Sequence, residues 1–414
     1  MKKIEKIYLL TSIFLLISFS SFAEEKNKKE GDLIEPISNF SQFKFIPDIS
    51  VILDGSYVFR DKKIEDFNKT RDVKGFGLLD NYINKNNGFN LNYSELAFSS
   101  VVDPFFDFFT NFHLSENEFE IEEAFINTRF LPFGLRFKVG KFLSNFGRIN
   151  SQHAHYWDFN DQPLVYGLTL SEHGLLEKGI QLNWLAPFDF YLALGSEVFI
   201  GENEKSFGNK GFVIGKNTFE DINLPNLVTG FAKTSFDIGE LTFLGGVSYA
   251  QGGTRILEQS NEENSETTAL SGINKIFGAD LTLKYQLDSY SYLSLQSELI
   301  KRNMSGDLYK KDTSSSFSKN QSGLYSNLIY KVSNQWKLGL RYDLIFENNL
   351  LEDSKKIESN SNLSRYSAMI EYNTSEFSRF RFQYNHDRVS SLEPVNEFML
   401  NMNISIGAHG AHAF

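Results

Sequence analysis

The chain has 414 residues, 41 of them Phe and 18 Tyr, with no cysteine and a formal charge of −11. Without cysteine there are no disulfides and no thiolate metal sites. The acidic balance argues against nucleic acid as a partner. Mean hydropathy is slightly polar, so these aromatics are not gathered into long apolar runs.

The N-terminus carries Lys2, Lys3 and Lys6, then an apolar run from Ile7 to about Ser18, then Ser21-Phe22-Ala23. That order predicts a secretory signal peptide over residues 1–23, removed after Ala23. The run is too short and too serine-rich for a membrane-spanning helix, and no second apolar span follows. Residues 24–46 are charged and lack periodicity, which predicts a disordered periplasmic lead-in. Residues 47–414 read as one unit.

That unit alternates. In "LRFKVGKFL" (135–143), Leu135, Phe137 and Val139 oppose Arg136 and Lys138. In "FDFYLALGSEVFI" (188–200), Phe188, Phe190, Leu192, Leu194, Val198 and Ile200 oppose Asp189, Gly195 and Glu197. In "QWKLGLRYDLIFE" (335–347), Trp336, Leu338, Leu340, Tyr342, Leu344 and Phe346 oppose Lys337, Arg341 and Asp343. "RFRFQYNH" sets Phe380, Phe382 and Tyr384 against Arg379, Arg381, Gln383 and Asn385, and "FMLNMNISIG" sets Phe398, Leu400, Met402, Ile404 and Ile406 against Asn401, Asn403 and Ser405. Side chains of a strand alternate between its faces, so each segment is a strand with one apolar and one polar side. Repeated along the chain, this is the pattern of an all-β transmembrane antiparallel β-barrel. A soluble sandwich has the same period but shorter strands.

About sixteen strands are expected, near 48–60, 89–102, 105–115, 119–130, 135–146, 178–186, 188–200, 227–237, 240–252, 275–287, 291–302, 321–332, 335–347, 364–373, 378–388 and 397–414. Tight turns such as "LPFG", "DIGE" and "SNQ" alternate with long polar segments such as 201–225 and 252–274. Short periplasmic turns and long extracellular loops are expected of an outer-membrane barrel. The terminal Phe414 falls in register with the apolar row of the last strand and resembles the assembly signal of such barrels.

"FEIEEAFINTRFLPFGLRFKVGKFLSNFGRIN" (119–150) resembles a hairpin of the porin O/P, phosphate-selective porin-like family. "GRINSQHAHYWDFNDQPLVYG" (147–167) and the tail "SIGAHGAHAF" are similar to plugless barrels labelled zinc-regulated TonB-dependent receptor. The resemblance implies a channel in the outer membrane. A TonB-dependent receptor needs an N-terminal plug, for which residues 24–47 leave no room. A phosphate-selective channel needs a dense basic ladder. Here Arg136, Lys138, Lys337, Arg341, Arg379 and Arg381 are expected to line the pore together with Asp189, Glu197 and Asp343, so phosphate selectivity does not carry over.

Residues 149–177 form a long outer loop, expected to fold inward as a constriction with His153, His155, Trp157 and Asp158 near its narrowest part. Two readings stay open. The histidines are polar pore lining, or His153, His155 and His173, with Asp158 and Asp161, hold a divalent metal such as zinc, which imidazole and carboxylate suit. No other cofactor is implied. Glu120, Glu122 and Glu123 read as a charged pore mouth rather than an acid–base pair. His386 and Asp387, beside Ser390 and Ser391, lack a nucleophile motif, so no enzymatic activity is expected. The expected partners are outer-membrane lipid, small solutes or ions, the barrel-assembly machinery through Phe414, and further copies in a homotrimer. Passive diffusion of small hydrophilic solutes is the default for so wide a barrel. Metal or ligand capture by the 149–177 loop, and a surface adhesin or structural barrel, are the alternatives.

Overall fold

A computed structural model describes residues 47–414 except 80–82, 116–118, 259–266, 312, 358–361, 390–392 and 408–414. The expected signal peptide (1–23), the lead-in (24–46) and the Phe414 signal with the tail histidines His409 and His412 lie outside the described residues.

Sixteen antiparallel strands close into a barrel. They are β1 (Asp48–Arg60), β2 (Gly88–Val101), β3 (Phe106–Leu114), β4 (Phe119–Thr128), β5 (Leu135–Leu143), β6 (Leu176–Leu185), β7 (Tyr191–Phe199), β8 (Leu227–Ile238), β9 (Leu241–Glu258), β10 (Thr268–Gln286), β11 (Tyr292–Lys310), β12 (Thr313–Lys331), β13 (Trp336–Ile345), β14 (Leu363–Ser375), β15 (Ser378–Arg388) and β16 (Val395–Gly407). Each pairs with its sequence neighbours, and β1 closes on β16 from Ser50↔Gly407 to Arg60↔Glu397. A short hairpin, Asn349–Glu352 with Lys355–Ile357, adds to the outer end of β12. Closure leaves no edge strand, so the backbone groups of the wall are paired within it.

The alternation sorts the two faces as expected. Leu338, Leu340, Phe380, Phe382, Leu400 and Ile406 point outward and are exposed, whereas Arg341, Asp343, Arg381, Gln383, Asn401 and Asn403 are buried on the inner side. Phe105, Phe133, Phe188, Tyr290 and Phe377 stand exposed at the short turns, an aromatic girdle at one end of the apolar band.

Several boundaries differ from the sequence reading. The segment 252–274 is mostly strand, because β9 runs to Glu258 and β10 starts at Thr268. Likewise β11 and β12 are 19 residues each and meet at a tight turn near Lys311. About 9–11 residues cross a bilayer, so β9–β12 continue beyond it as a tall wall. There both faces meet polar surroundings and alternation fades. The strand expected from 188 begins at Tyr191, so Phe188, Asp189 and Phe190 belong to a turn.

Three outer connections fold into the barrel rather than away from it: the described residues of 61–87, 144–175 and 200–226. The first carries α1 (Ile64–Thr70) and the second α2 (Leu164–Thr169). Val73, Phe76, Leu79 and Ile83 from the first pack with Phe146, Leu164, Val165, Tyr166, Leu168 and Leu170 from the second and Phe207 from the third. Wall residues Ile52, Phe142, Phe199, Ile276, Ile300 and Tyr325 complete this apolar core inside the barrel. The outer half of the lumen is therefore packed like a protein interior.

Candidate functional site

The loop 144–175 is the centre of the site, and wall side chains clamp it along its length. At its start Glu197 accepts from Ser144 Oγ (2.5 Å), Asn145 N (2.9 Å) and Gln181 Nε2 (2.7 Å), and also from Thr229 Oγ1. Gly147 then adopts a left-handed φ of 62°. A Cβ there would collide with Tyr166 Oη and Glu298, so only glycine permits the turn. Lys233 Nζ donates to its carbonyl at 2.6 Å. Glu298 accepts from Arg148 N (2.7 Å), Ile149 N (3.0 Å), Tyr166 Oη (2.7 Å) and Tyr325 Oη.

The far side of the loop is held by an ionic lattice. Asp161 accepts from Arg341 Nη2 (2.8 Å), Arg365 Nη1 (2.5 Å), Gln383 Nε2 (2.6 Å) and Asn385 Nδ2 (3.1 Å). Burial works against its charge, but Arg341 and Arg365 outweigh it and hold the carboxyl below its ordinary range. Asp343 accepts from Leu164 N at 2.9 Å and from Arg341 Nε at 2.8 Å, and Asp387 takes a bidentate bond from Arg365. Arg381 donates to Trp157 O (2.9 Å), Asn160 Oδ1 (3.2 Å) and Glu371 Oε2 (2.5 Å). Asn160 also receives Asn84 Nδ2 on its carbonyl at 2.9 Å, which ties the 61–87 loop to this one.

Between these clamps the two histidines meet three carboxylates. His153 Nε2 lies 2.8 Å from Glu123 Oε2, and Nδ1 lies 3.3 Å from Glu122 Oε2. His155 Nδ1 lies 3.3 Å from Glu95 Oε2, and the two imidazoles stack at 5.6 Å, 7° from parallel. Burial opposes protonation of His153, yet Glu122 and Glu95 outweigh it and hold the ring well above its usual range. For His155 burial prevails and lowers it.

A cavity of about 780 Å³ lies on the short-turn side of the loop. Its floor is Gln152, His155, Tyr156 and Asp158. The loop also contributes Arg148, and the opposite lining carries Lys284, Lys331, Lys337 and Arg379, with Glu371 and Glu376.

The expected pore-lining residues thus divide. Lys337 and Arg379 border the cavity. Glu197, Arg341, Asp343 and Arg381 face inward but are at most 3% exposed, because the loop occupies the space that water would fill. Lys138 sits over the rings of Phe125 (4.5 Å) and Phe142 (5.0 Å), and Arg136 is exposed near the short-turn end of β5. Asp189 is exposed in the 186–190 turn and does not face the lumen from a strand. The expected metal set does not assemble as read: His173 pairs with Glu172 at 3.5 Å, Asp158 with Lys337 at 3.2 Å, and Asp161 is taken by the arginines. Asp387 is committed to Arg365 and His386 Nδ1 contacts Asn396 Oδ1 at 2.8 Å, while Ser390 and Ser391 lie outside the described residues.

Sequence reasoning missed Glu95, Glu298, Arg302 and Arg365, and with them the whole 61–87 loop. Each of these charges sits at an inward parity, which was the available signal. Arg302, 1% exposed, donates to Gln321 Oε1 at 2.9 Å and to Thr169 O at 3.2 Å, closing the end of α2.

No family model matches the chain, so the porin O/P likeness rests on the short motifs of 119–150. Over 388 residues the chain is 46% identical to a protein of Aquifex aeolicus (strain VF5) described as uncharacterized, covering 91% of this chain and 82% of that one. The structure is similar to a loop L8 deletion mutant of OmpT, an outer membrane protein of Vibrio cholerae, with a TM-score of 0.52, 13% identity, and coverage of 88% of this chain and 100% of that one. It is similar to the outer membrane channel DcaP of Acinetobacter baumannii, with a TM-score of 0.52, 11% identity, and coverage of 88% and 99%. These likenesses concern the fold, which is that of outer-membrane porin-like barrels. The chain belongs to the family of the Aquifex aeolicus protein.

Proposed function

We propose that this member of the Aquifex aeolicus protein's family is an outer-membrane channel for small hydrophilic solutes or ions, in which the 144–175 loop sets the narrowest part. One observation carries the reading: a cavity of about 780 Å³, lined largely by polar side chains inside a closed barrel, ends against an inward loop. The exposed apolar band supports lipid around the barrel, and the expected signal peptide supports export. Short turns face the periplasm in such barrels, so the cavity is a periplasmic vestibule. Five Lys and Arg side chains face Asp158, Glu371 and Glu376 across it. Fixed charge in a narrow aqueous space acts at short range, and this excess favours anions. Passage then depends on how far the loop yields, since apolar packing fills the space beyond it.

The tall wall supports a second reading, a surface adhesin or structural barrel, because β9–β12 reach past the membrane. Planar-bilayer recording separates the two. The channel reading predicts discrete conductance steps and reversal potentials on the anion side in a salt gradient. Folded, heat-modifiable protein that inserts without conducting would overturn it.

A further inference from the structure

We infer that Glu95, Glu122 and His153 form a binding site for a divalent transition-metal cation that pins the inward loop to strands β2 and β4. One ligand atom from each of the three residues lies within 4.8 Å of the other two. A modest rotation of unbranched Glu side chains closes such a triangle onto an ion. One imidazole nitrogen with two carboxylate oxygens is the donor set of Zn²⁺ and its first-row neighbours, whereas Ca²⁺ and Mg²⁺ favour oxygen alone.

Three further observations support it independently. The first is orientation. His153 Nε2 lies 2.8 Å from Glu123 Oε2 and donates to it. Nδ1 lies 3.3 Å from Glu122 Oε2 without a hydrogen-bond partner, and the proton it holds in the metal-free ring leaves when an ion binds. A metal-ligating histidine characteristically donates its other N–H to a carboxylate, which fixes the tautomer and aims the free lone pair. Glu123 does this here and is a positioning residue rather than a ligand. The second is charge. Among the described residues no lysine or arginine pairs with Glu95, Glu122 or Glu123, although side-chain exposure of all three is at most 13%. Asn111 Nδ2 donates to Glu122 at 2.8 Å and Leu143 N to Glu123 at 2.7 Å, yet the three buried carboxylates share the His153 ring as their one cationic partner among the described residues, and a divalent ion in place of its proton adds positive charge there. The third is room. A cavity of about 20 Å³ adjoins Glu122 and His153, enough for one water. That completes a fourth position. His155 braces Glu95 from the other side.

The site joins two wall strands to the loop at residue 153, so a bound ion holds the loop inward. Binding is read from retained metal and not from conductance, so it is tested apart from the channel reading. The mature chain is refolded in detergent, loaded with ZnCl₂, passed through a desalting column and analysed for metal. One zinc per barrel is expected, with calcium not retained. Glu122→Gln and His153→Gln should each abolish retention, and Glu123→Gln should weaken it by about 10–100-fold. Heat-modifiable mobility checks that each variant has folded. X-ray absorption of the zinc-loaded parent gives a second readout that needs no variant: one imidazole with oxygen ligands. Absence of stoichiometric zinc, retention unaffected by either ligand change, or a zinc shell with several imidazoles or none would overturn the proposal.

Discussion

The two halves of the lumen are built from the same alternating strands and end in opposite states. On β13, Lys337 borders the cavity, while Arg341 and Asp343 further along are buried against the loop. On β15, Arg379 borders the cavity, while Arg381 is 1% exposed and bonded to Trp157 O. On β11, Ser294 and Gln296 are cavity lining, and Glu298 and Arg302 are clamps. An inward charge is therefore a pore residue or an anchor according to depth alone. Buried charges persist in the outer half because each finds a partner there.

The largest effect should come from the ionic lattice. Asp161→Ala removes the acceptor that Arg341, Arg365, Gln383 and Asn385 share, while Arg341 keeps Asp343 and Arg365 keeps Asp387. Each hydrogen bond lost to a charged acceptor costs about 1.5–3 kcal/mol, and Asp161 accepts several. The urea midpoint of the refolded barrel should fall accordingly, and an unchanged midpoint would mean that Asp161 is not an anchor. Glu298→Gln keeps the shape but replaces a charged acceptor of four bonds with a neutral one, at a cost of about 1–3 kcal/mol. Proteolysis between residues 144 and 166 should quicken in that variant while the barrel stays folded.

Strand identity and facing were legible in the sequence, because Trp336 to Leu344 or Phe380 to Tyr384 alternate without interruption. Depth was not. Alternation states which face a residue occupies and nothing about what fills the space in front of it, so Arg341 and Arg381 read like Arg379. The tall wall was missed where "QGGTR" and "TSSSFSKNQ" interrupt the apolar alternation. The inward 61–87 loop left only scattered apolar residues, Phe67, Val73, Phe76 and Leu79, with no period to connect them. The 149–177 loop was legible through its length and its histidines. The carboxylates that meet those histidines come from β2 and β4, and only the barrel's closure brings them together.

Smaller effects sharpen the contrast from the vestibule side. Arg379→Glu should move the reversal potential toward cations and cost less stability than the same change at Arg381, whose guanidinium is bonded to Glu371 and Trp157 O. Arg381→Glu should instead destabilise the barrel. Equal behaviour of the two variants would erase the distinction between lining and anchor. The smallest effect expected in the ordinary range concerns pH. The folded-state pKa of Asp161 is depressed, so its stabilising contribution is complete above the ordinary aspartate value near 4 and is lost only as pH falls through the lower folded value. Conductance should not change through this clamp between about pH 5 and 8 and should rise in stronger acid. A rise near neutrality in the Asp161 parent that is absent from Asp161→Asn would contradict this.

The central claim is that the inward loop, and not the barrel wall, limits passage. Replacing residues 151–165 with a short Gly-Ser linker leaves the Glu197 and Glu298 clamps at the start of the loop in place. It removes the floor of the cavity and the Asp161 lattice. Single-channel conductance of this variant in a planar bilayer should be several-fold that of the parent, with the barrel still heat-modifiable. The same conductance in parent and variant would place the limit elsewhere and contradict the account.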